Sequence, residues 1–320
     1  MLKLGKTCLS ILLASLPVTL AAAPVGYSIS SDSPSPAPYF DALYEIDLGA
    51  GSDRHIAQLD PRFLDVEGLA FAPDGKLYAL DDNTLTILEL VPGTNAVQII
   101  SERAILDLPS TRDNDFGMAF GCDGTLFVSS VKQKTLYRLE LTGQLTPIGA
   151  LGANISALAA WGNPTELYGL GNGLRNQGND VYVTDAPNLY RIDAKTGATV
   201  LVGALGGLAQ PYTEGGLDFD ESGQLWAITD RQFPDYQPSE VLKIDKTSGR
   251  AVEARTLREG GFESLAIAPP GGCTAFTEPP PVEPPPTGAQ YQGVPALSPV
   301  GLALASLLVL LTGLLAARRF

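Results

Sequence analysis

The sequence predicts an all-β protein, a β-propeller of five four-stranded blades. Three observations carry that reading: a motif that recurs five times at roughly 40–60-residue spacing, a second hairpin after most copies, and an N-terminal stretch supplying strands that the last copy lacks.

The clearest copies are Glu67 to Leu80 (EGLAFAPDGKLYAL), Phe116 to Ser129 (FGMAFGCDGTLFVS) and Gly215 to Ile228 (GGLDFDESGQLWAI). Weaker ones begin at Ser156 (SALAAWGNPTELYGL) and Glu263 (ESLAIAPPGG). Each joins a short apolar strand to a second strand carrying an aromatic, through a Pro-Asp-Gly or Glu-Ser-Gly type of turn, which is the chemistry of a β-hairpin. The outer hairpins begin with Leu85 to Leu90 before Pro92-Gly93, Thr135 to Leu141 before Thr142-Gly143, Leu189 to Asp193 before Thr196-Gly197, and Val241 to Asp245 before Ser248-Gly249. Six blades is the alternative, because Asp180 to Asp185 (DVYVTD) reads as an additional strand in the long third repeat.

The fifth copy offers a first strand at Phe262 to Ala268 and a second at Cys273 to Phe276, and then the chain turns proline-rich. Its outer half is expected at the other end of the domain, where Ala42 to Asp47, a Gly49-to-Ser52 turn and His55 to Leu59 repeat the pattern of Leu189 to Asp193 with its turn. Joining the two ends closes the ring and removes exposed sheet edges.

Met1 to Ala23 has a basic start (Lys3, Lys6), an apolar run and small residues before Pro24, the order a signal peptidase reads, so residues 1–23 are expected to be a signal peptide. Residues 24–38 then read as a linker, 39–277 as the propeller and 278–293 as a proline-rich linker (EPPPVEPPPT at its start), extended at about 3 Å per residue. Val300 to Ala317 carries no charge and precedes Arg318-Arg319; as a helix it measures roughly 27 Å, enough to cross a bilayer core with the arginines on the cytoplasmic side. Val294-Pro295-Ala296-Leu297-Ser298-Pro299-Val300-Gly301, the apolar run and Arg318-Arg319 together resemble an IPTL-type C-terminal sorting signal, related to the PEP-type signals of exported Gram-negative proteins. The resemblance covers residues 294–320 and implies C-terminal sorting or processing machinery as a partner, with the domain displayed at the cell envelope or released from it.

Composition narrows function. A net charge of -14 disfavours nucleic acid, and taking Lys3, Lys6, Arg318 and Arg319 from the 21 basic residues leaves 17 against 35 acidic ones on the exported part. The chain has one histidine, His55, and no HExxH, GxSxG, Walker-type or CxxC pattern, so histidine-based and thiol-based catalysis lacks material. The leading expectation is an exported, non-enzymatic propeller that binds a carbohydrate, a peptide or a matrix component; a purely structural matrix role is a third reading.

Turns after the first and third strands of each blade are tight, whereas the other face carries the insertions Gly171 to Asp180 and Thr229 to Ser239. Recognition is expected on that loop-rich face, at Arg175, Asn176, Tyr212, Arg231, Phe233, Asp235 and Tyr236. The same face holds the start of each innermost strand, beside the axis. Those starts carry Asp65 and Glu67, Asp113 and Asp115, Asn154, Glu214 and Glu263, and converging carboxylates either raise one another's pKa values or hold a hard cation such as Ca²⁺. The alternative is that they cap strand-end N–H groups and never meet. Glu67-Gly68 before an apolar strand, and Glu214 to Trp226, resemble segments of gluconolactonase-type and NHL-like propellers, some of which are divalent-metal hydrolases. That resemblance matches Glu67 to the family's first metal-binding Glu, whereas Gly215 stands where the lactonases carry Asp; the alternative activity read from the axial carboxylates is a metal-dependent hydrolase of a lactone or phosphate ester, with Glu67, Glu214 and Glu263 as ligands or bases.

Cys8 lies in the signal and is lost with it. Cys122 and Cys273 fall on the second and fifth blades, which are not neighbours in a five-bladed ring, so free thiols are expected rather than a bridge.

Overall fold

The repeats read from the sequence form antiparallel hairpins stacked into a ring in a computed structural model that describes residues 23–30, 41–92, 97–106, 115–176, 182–184, 187–231 and 237–273, with only the backbone at 175, 176 and 182–184. Three strands open the chain: β1 (Val25–Ser30), β2 (Ala42–Asp47) and β3 (Ser52–Gln58). The first complete blade is β4 (Val66–Phe71), β5 (Leu77–Asp81), β6 (Thr86–Pro92) and β7 (Val97–Ala104), paired in that order. The second is β8 (Phe116–Phe120), β9 (Leu126–Ser130), β10 (Thr135–Leu139) and β11 (Leu145–Ala150). In the third, β12 (Ile155–Trp161) and β13 (Glu166–Gly171) are followed by a small hairpin, β14 (Leu174–Asn176) with β15 (Tyr182–Thr184), before β16 (Asn188–Ile192) and β17 (Thr199–Ala204) complete the sheet. The fourth is β18 (Gly215–Phe219), β19 (Leu225–Arg231), β20 (Gln237–Ile244) and β21 (Ala251–Thr256). The ring therefore has five blades and not six: the DVYVTD stretch supplies β15, which pairs with β14 alone.

Blades present both faces to neighbours, so their strands are apolar on both sides rather than alternating with solvent. Along β9, Leu126 and Val128 pack toward the first blade with Leu80 and Ile87, while Phe127 packs toward the third with Leu158 and Leu167. Equivalent clusters fill the other three seams. Each fully buried Leu or Phe contributes about 1.5–3 kcal/mol, and these seams hold the ring together.

Closure follows the expected plan with one strand reassigned. β2 and β3 are the predicted outer strands, but the strand between them and the segment Phe262–Ala268 is β1, within the stretch read as a linker, and not Cys273 to Phe276. Cys273 is outside any strand, and 274–276 lie outside the described residues. β1 joins Phe262–Ala268 by the bridges Tyr27↔Ala266 and Ser30↔Phe262. Its serines serve the joint: Ile29 N–H donates to Ser264 Oγ at 3.1 Å, the Ser28 hydroxyl to the Ser264 carbonyl, and Ser30 Oγ to the Gly260 carbonyl at 2.9 Å.

On the tight-turn face the fourth blade holds the same segment through Asp218, whose Oδ2 accepts the Ile267 N–H at 2.7 Å. Burial pushes the Asp218 carboxyl up to about 7, against the N–H groups of Ile267, Phe219 and Ala268 that pull it down. The folded protein thus keeps a proton that the unfolded chain releases near pH 4, so this group's contribution to stability falls as pH rises from about 4 to about 7 and is flat above. Asp218→Asn should make the pH slope of the unfolding free energy shallower in that window, by up to about 1.4 kcal/mol per pH unit; an unchanged slope in urea titrations at a series of pH values would refute the assignment.

The free-thiol expectation is overturned. Cys122 and Cys273 form a disulfide with Cα atoms 5.6 Å apart. The reason is the path of the chain after Ala268: Pro269 to Cys273 leaves the fifth blade and runs across the tight-turn end of the ring. Pro270 borders the axial space together with Phe71, Phe120, Ala160 and Asp218, one from each of the other blades. Gly162 N–H donates to the Gly271 carbonyl at 2.9 Å, and Gly271 and Gly272 lie against the Trp161 indole, where a side chain on Gly271 would come within 2.3 Å of the ring.

The chain divides into two units, Met1–Thr274 and Ala275–Phe320. The signal peptide (1–22 of it), the proline-rich linker, the sorting motif with its helix at 300–317, and Arg318 and Arg319 lie outside the described residues. Among the described residues no helix is long and apolar enough to cross a membrane.

Candidate metal centre at the axial mouth

Irregularities in the innermost strands build the site. Across β4 and β5 the register slips between Val66 and Gly68, leaving Glu67 as an extra residue; across β12 and β13 it slips between Ile155 and Ala157, leaving Ser156. In the closing blade the pairing advances by one residue between Ser30↔Phe262 and Tyr27↔Ala266, over the stretch that contains Glu263. A bulge turns a side chain out of the alternation of its strand, and here it aims these three toward the axis. The second and fourth blades stay in register and carry glycine at the matching place: a Cβ on Gly117 would lie 2.6 Å from Ala157 Cα, and one on Gly216 would lie 2.1 Å from Leu265 N. Three blades project a side chain from the slip itself, and at Gly117 and Gly216 the second and fourth pack directly against the backbone of the next blade.

Acceptor atoms of Glu67, Glu214 and Glu263 lie within 4.8 Å of one another, and so do those of Asp65, Glu67 and Asp82. Glu67 belongs to both groups, and its Oε2 is held by the Phe116 N–H at 2.7 Å. Burial first, then the carboxylates of Glu214, Asp115, Asp82 and Glu263, push the Glu67 pKa well above the usual range. Glu214 is raised in the same way, by burial and then by Asp115, Glu263, Asp230 and Asp65. Asp82 is pushed up to about 9 by burial and by Asp65. These groups therefore share a rim in which each opposes the ionisation of the next.

Polar atoms on the same rim point to an occupant. Ser156 Oγ, Asn172 Oδ1 and Asp82 Oδ1 are buried and have no hydrogen-bond partner among the described residues. Ser156 is only 4% exposed and lines a cavity of about 10 Å³ with Glu67, Glu263, Gly117 and Gly215, room for one water- or ion-sized guest. An unmatched buried acceptor costs about 1–3 kcal/mol, and an ion or ordered water there relieves it.

The predicted metal set is largely brought together. Glu67, Glu214 and Glu263 meet directly, and Asp115 acts on both Glu67 and Glu214. Asn154, half-buried, holds the place before β12 that Asp115 holds before β8 and Glu214 before β18; Asp113 lies outside the described residues. Capping of strand-end N–H groups occurs as well: Glu67 Oε2 accepts the Phe116 N–H at the start of β8, Asp41 Oδ2 accepts the Val66 N–H at 2.7 Å, and Asp81 accepts the Asp65 and Thr84 N–H groups, so Glu67 both caps and meets the other carboxylates.

Asp82, Asp230, Asn172 and Ser156 were not anticipated. Asp82 N–H bonds the Asp65 carbonyl and Asp230 N–H the Glu214 carbonyl, both at 2.9 Å, so the residue leaving a second strand sits beside the one opening the first. At this place the sequence carries an acid in two blades, Asp82 and Asp230, Asn172 in the third and Val131 in the second, and the two acids were the available signal.

The loop-face residues fare differently. Tyr212 is fully buried between the third and fourth blades and donates its hydroxyl to the Gly171 carbonyl at 2.5 Å, so it is core and not an exposed contact. Its ring fills space that the long β17–β18 connection would otherwise leave empty. Arg231, with a side chain 14% exposed, pairs with Glu240 at 3.1 Å and donates to the Pro238 carbonyl at 3.2 Å, so its charge is already matched. The side chains of Arg175 and Asn176, and all of Phe233, Asp235 and Tyr236, lie outside the described residues.

No protein family and no curated protein matches the chain. Among solved structures it is similar to virginiamycin B lyase from Staphylococcus aureus, at 16% identity over 75% of this chain and 71% of that one, with a TM-score of 0.39. A luciferin-regenerating enzyme is similar at 17% identity over 78% and 82% of the two chains, TM-score 0.42. A gluconolactonase from Xanthomonas campestris is similar at 13% identity over 70% and 74%, TM-score 0.42. Likenesses this distant bring no activity or ligand to this chain.

Proposed function

We propose that this is an exported, envelope-sorted β-propeller that binds a divalent cation in its axial mouth and uses that face to engage a carbohydrate, peptide or matrix ligand without turnover. The observation that carries the reading is the convergence of Glu67, Glu214 and Glu263 within 4.8 Å. Oxygens both about 2.4 Å from one ion lie up to about 4.8 Å apart, so the trio suits Ca²⁺. Their raised pKa values describe a cluster that is costly to ionise alone and that a cation converts into a ligand set. The disulfide supports export, because such bonds persist in oxidising compartments.

Calcium titration of the purified protein by calorimetry should give about one site, tightest above neutral pH because protons compete for the same oxygens. Glu67→Gln with Glu214→Gln should weaken it at least 100-fold, and lactone, ester and phosphoester substrates should show no turnover with or without Ca²⁺. No heat of binding and no thermal stabilisation by Ca²⁺ would reject the cation; cation-dependent turnover lost in the double variant would replace binding by hydrolysis.

A further inference from the structure

One segment serves both ends of the axis. Phe262–Ala268 delivers Glu263 to the carboxylate trio on the loop-rich side, and ten positions later Cys273 is fastened to Cys122 on the opposite side. The segment meets the first strands by two isolated bridges and by hydrogen bonds with Ser28, Ile29 and Ser30, the third blade through Gly271, and the fourth through Ser239 and Asp218. Every other innermost strand is flanked by a full ladder within its own sheet. Glu263 thus lies on the one innermost segment that pairs by isolated bridges rather than by a ladder, and the cross-link is the covalent hold on that segment.

We propose that Cys122–Cys273 is a redox clasp for the axial site: when it is closed Glu263 is held in the cation-binding trio, and when a dithiol reductant opens it the segment slackens and the site loses affinity. The proposal rests on the cation reading above. Cys273 is exposed and Cys122 partly so, which leaves the bond open to attack. A thiolate of the reductant forms a bond to Cys273 Sγ as the Sγ–Sγ bond breaks, and Cys122 leaves as a thiolate and takes a proton. The second thiol of the reductant then displaces Cys273. Two electrons and two protons pass to the protein, which ends as two thiols, and the reductant ends as a cyclic disulfide.

The experiment is calorimetric Ca²⁺ titration of the full chain, oxidised and dithiothreitol-reduced, and of Cys122→Ser with Cys273→Ser. Thiol state is read by alkylation and mass spectrometry, at a temperature where circular dichroism shows the sheets intact. Reduction and the double variant should each weaken Ca²⁺ at least tenfold. Glu263→Gln should bind weakly in both redox states, with no further drop on reduction. Equal affinity for the oxidised and reduced wild-type protein would overturn the clasp while leaving the cation site standing, and so would a full drop on reduction of Glu263→Gln. Absence of Ca²⁺ binding even in the oxidised protein would remove the cation reading itself, and the clasp with it.

Discussion

Cys273→Ser is expected to lower the stability of the folded domain by about 5 kcal/mol. The bond spans 151 residues, and closing a loop that long removes about that much entropy from the unfolded chain by the chain-entropy relation. For a domain of this size the change corresponds to a fall in the melting temperature of roughly 10–20 °C. Thermal unfolding followed by circular dichroism under non-reducing conditions measures it, with reduced wild-type protein as the matching control. A shift of only a degree or two would mean that the Pro269 to Cys273 segment holds its place without the bond, through Trp161 and Gly162 alone.

Gly216→Ala is expected to cost about 3 kcal/mol, the upper part of the usual range for overpacking. The added methyl would lie 2.1 Å from Leu265 N and 2.2 Å from Ser264 C, which are backbone atoms and cannot rotate away. Relief comes only by moving the closing segment outward, which loosens its bridges to β1 and shifts Glu263. Urea unfolding should therefore show a lower midpoint, and Ca²⁺ affinity should fall with it. Gly207→Ala is the control: nothing lies within 4 Å of its added methyl, so stability there should hold or rise slightly. Equal behaviour of the two variants would show that the fourth and fifth blades do not press together at the axis.

The ring was legible because each blade repeats one hairpin with its turn chemistry, and because blades buried on both faces write themselves as apolar pairs of strands. β1 was hidden by its composition: VGYSIS places serines where a strand core usually carries aliphatic residues, and they are there to bond the Ser264 and Gly260 backbone. The disulfide was hidden because it depends on a five-residue segment running across the axis rather than along a blade, which no strand pattern signals. At the mouth, Glu67, Asp115, Glu214 and Glu263 followed from their position at strand starts. The contribution of Ser156 did not, since a one-residue slip against β13 reveals itself only in the pairing. Tyr212 and Arg231 were misplaced for the opposite reason: residues in long connections read as solvated, yet these two fold back, one into apolar packing and one onto Glu240.

Ring closure by strands from both chain ends also sets an order of events during synthesis. β1 leaves the ribosome before the other strands of the domain, and its partner at Phe262 to Ala266 follows all of them, separated by 236 residues at the Ser28–Ser264 contact. Until that partner emerges, the earliest-made sheet carries an unpaired flank while four blades assemble beside it. Contacts of such long sequence separation are slow to form, so the nascent protein faces its greatest hazard of pairing with a neighbouring chain before the closing segment arrives.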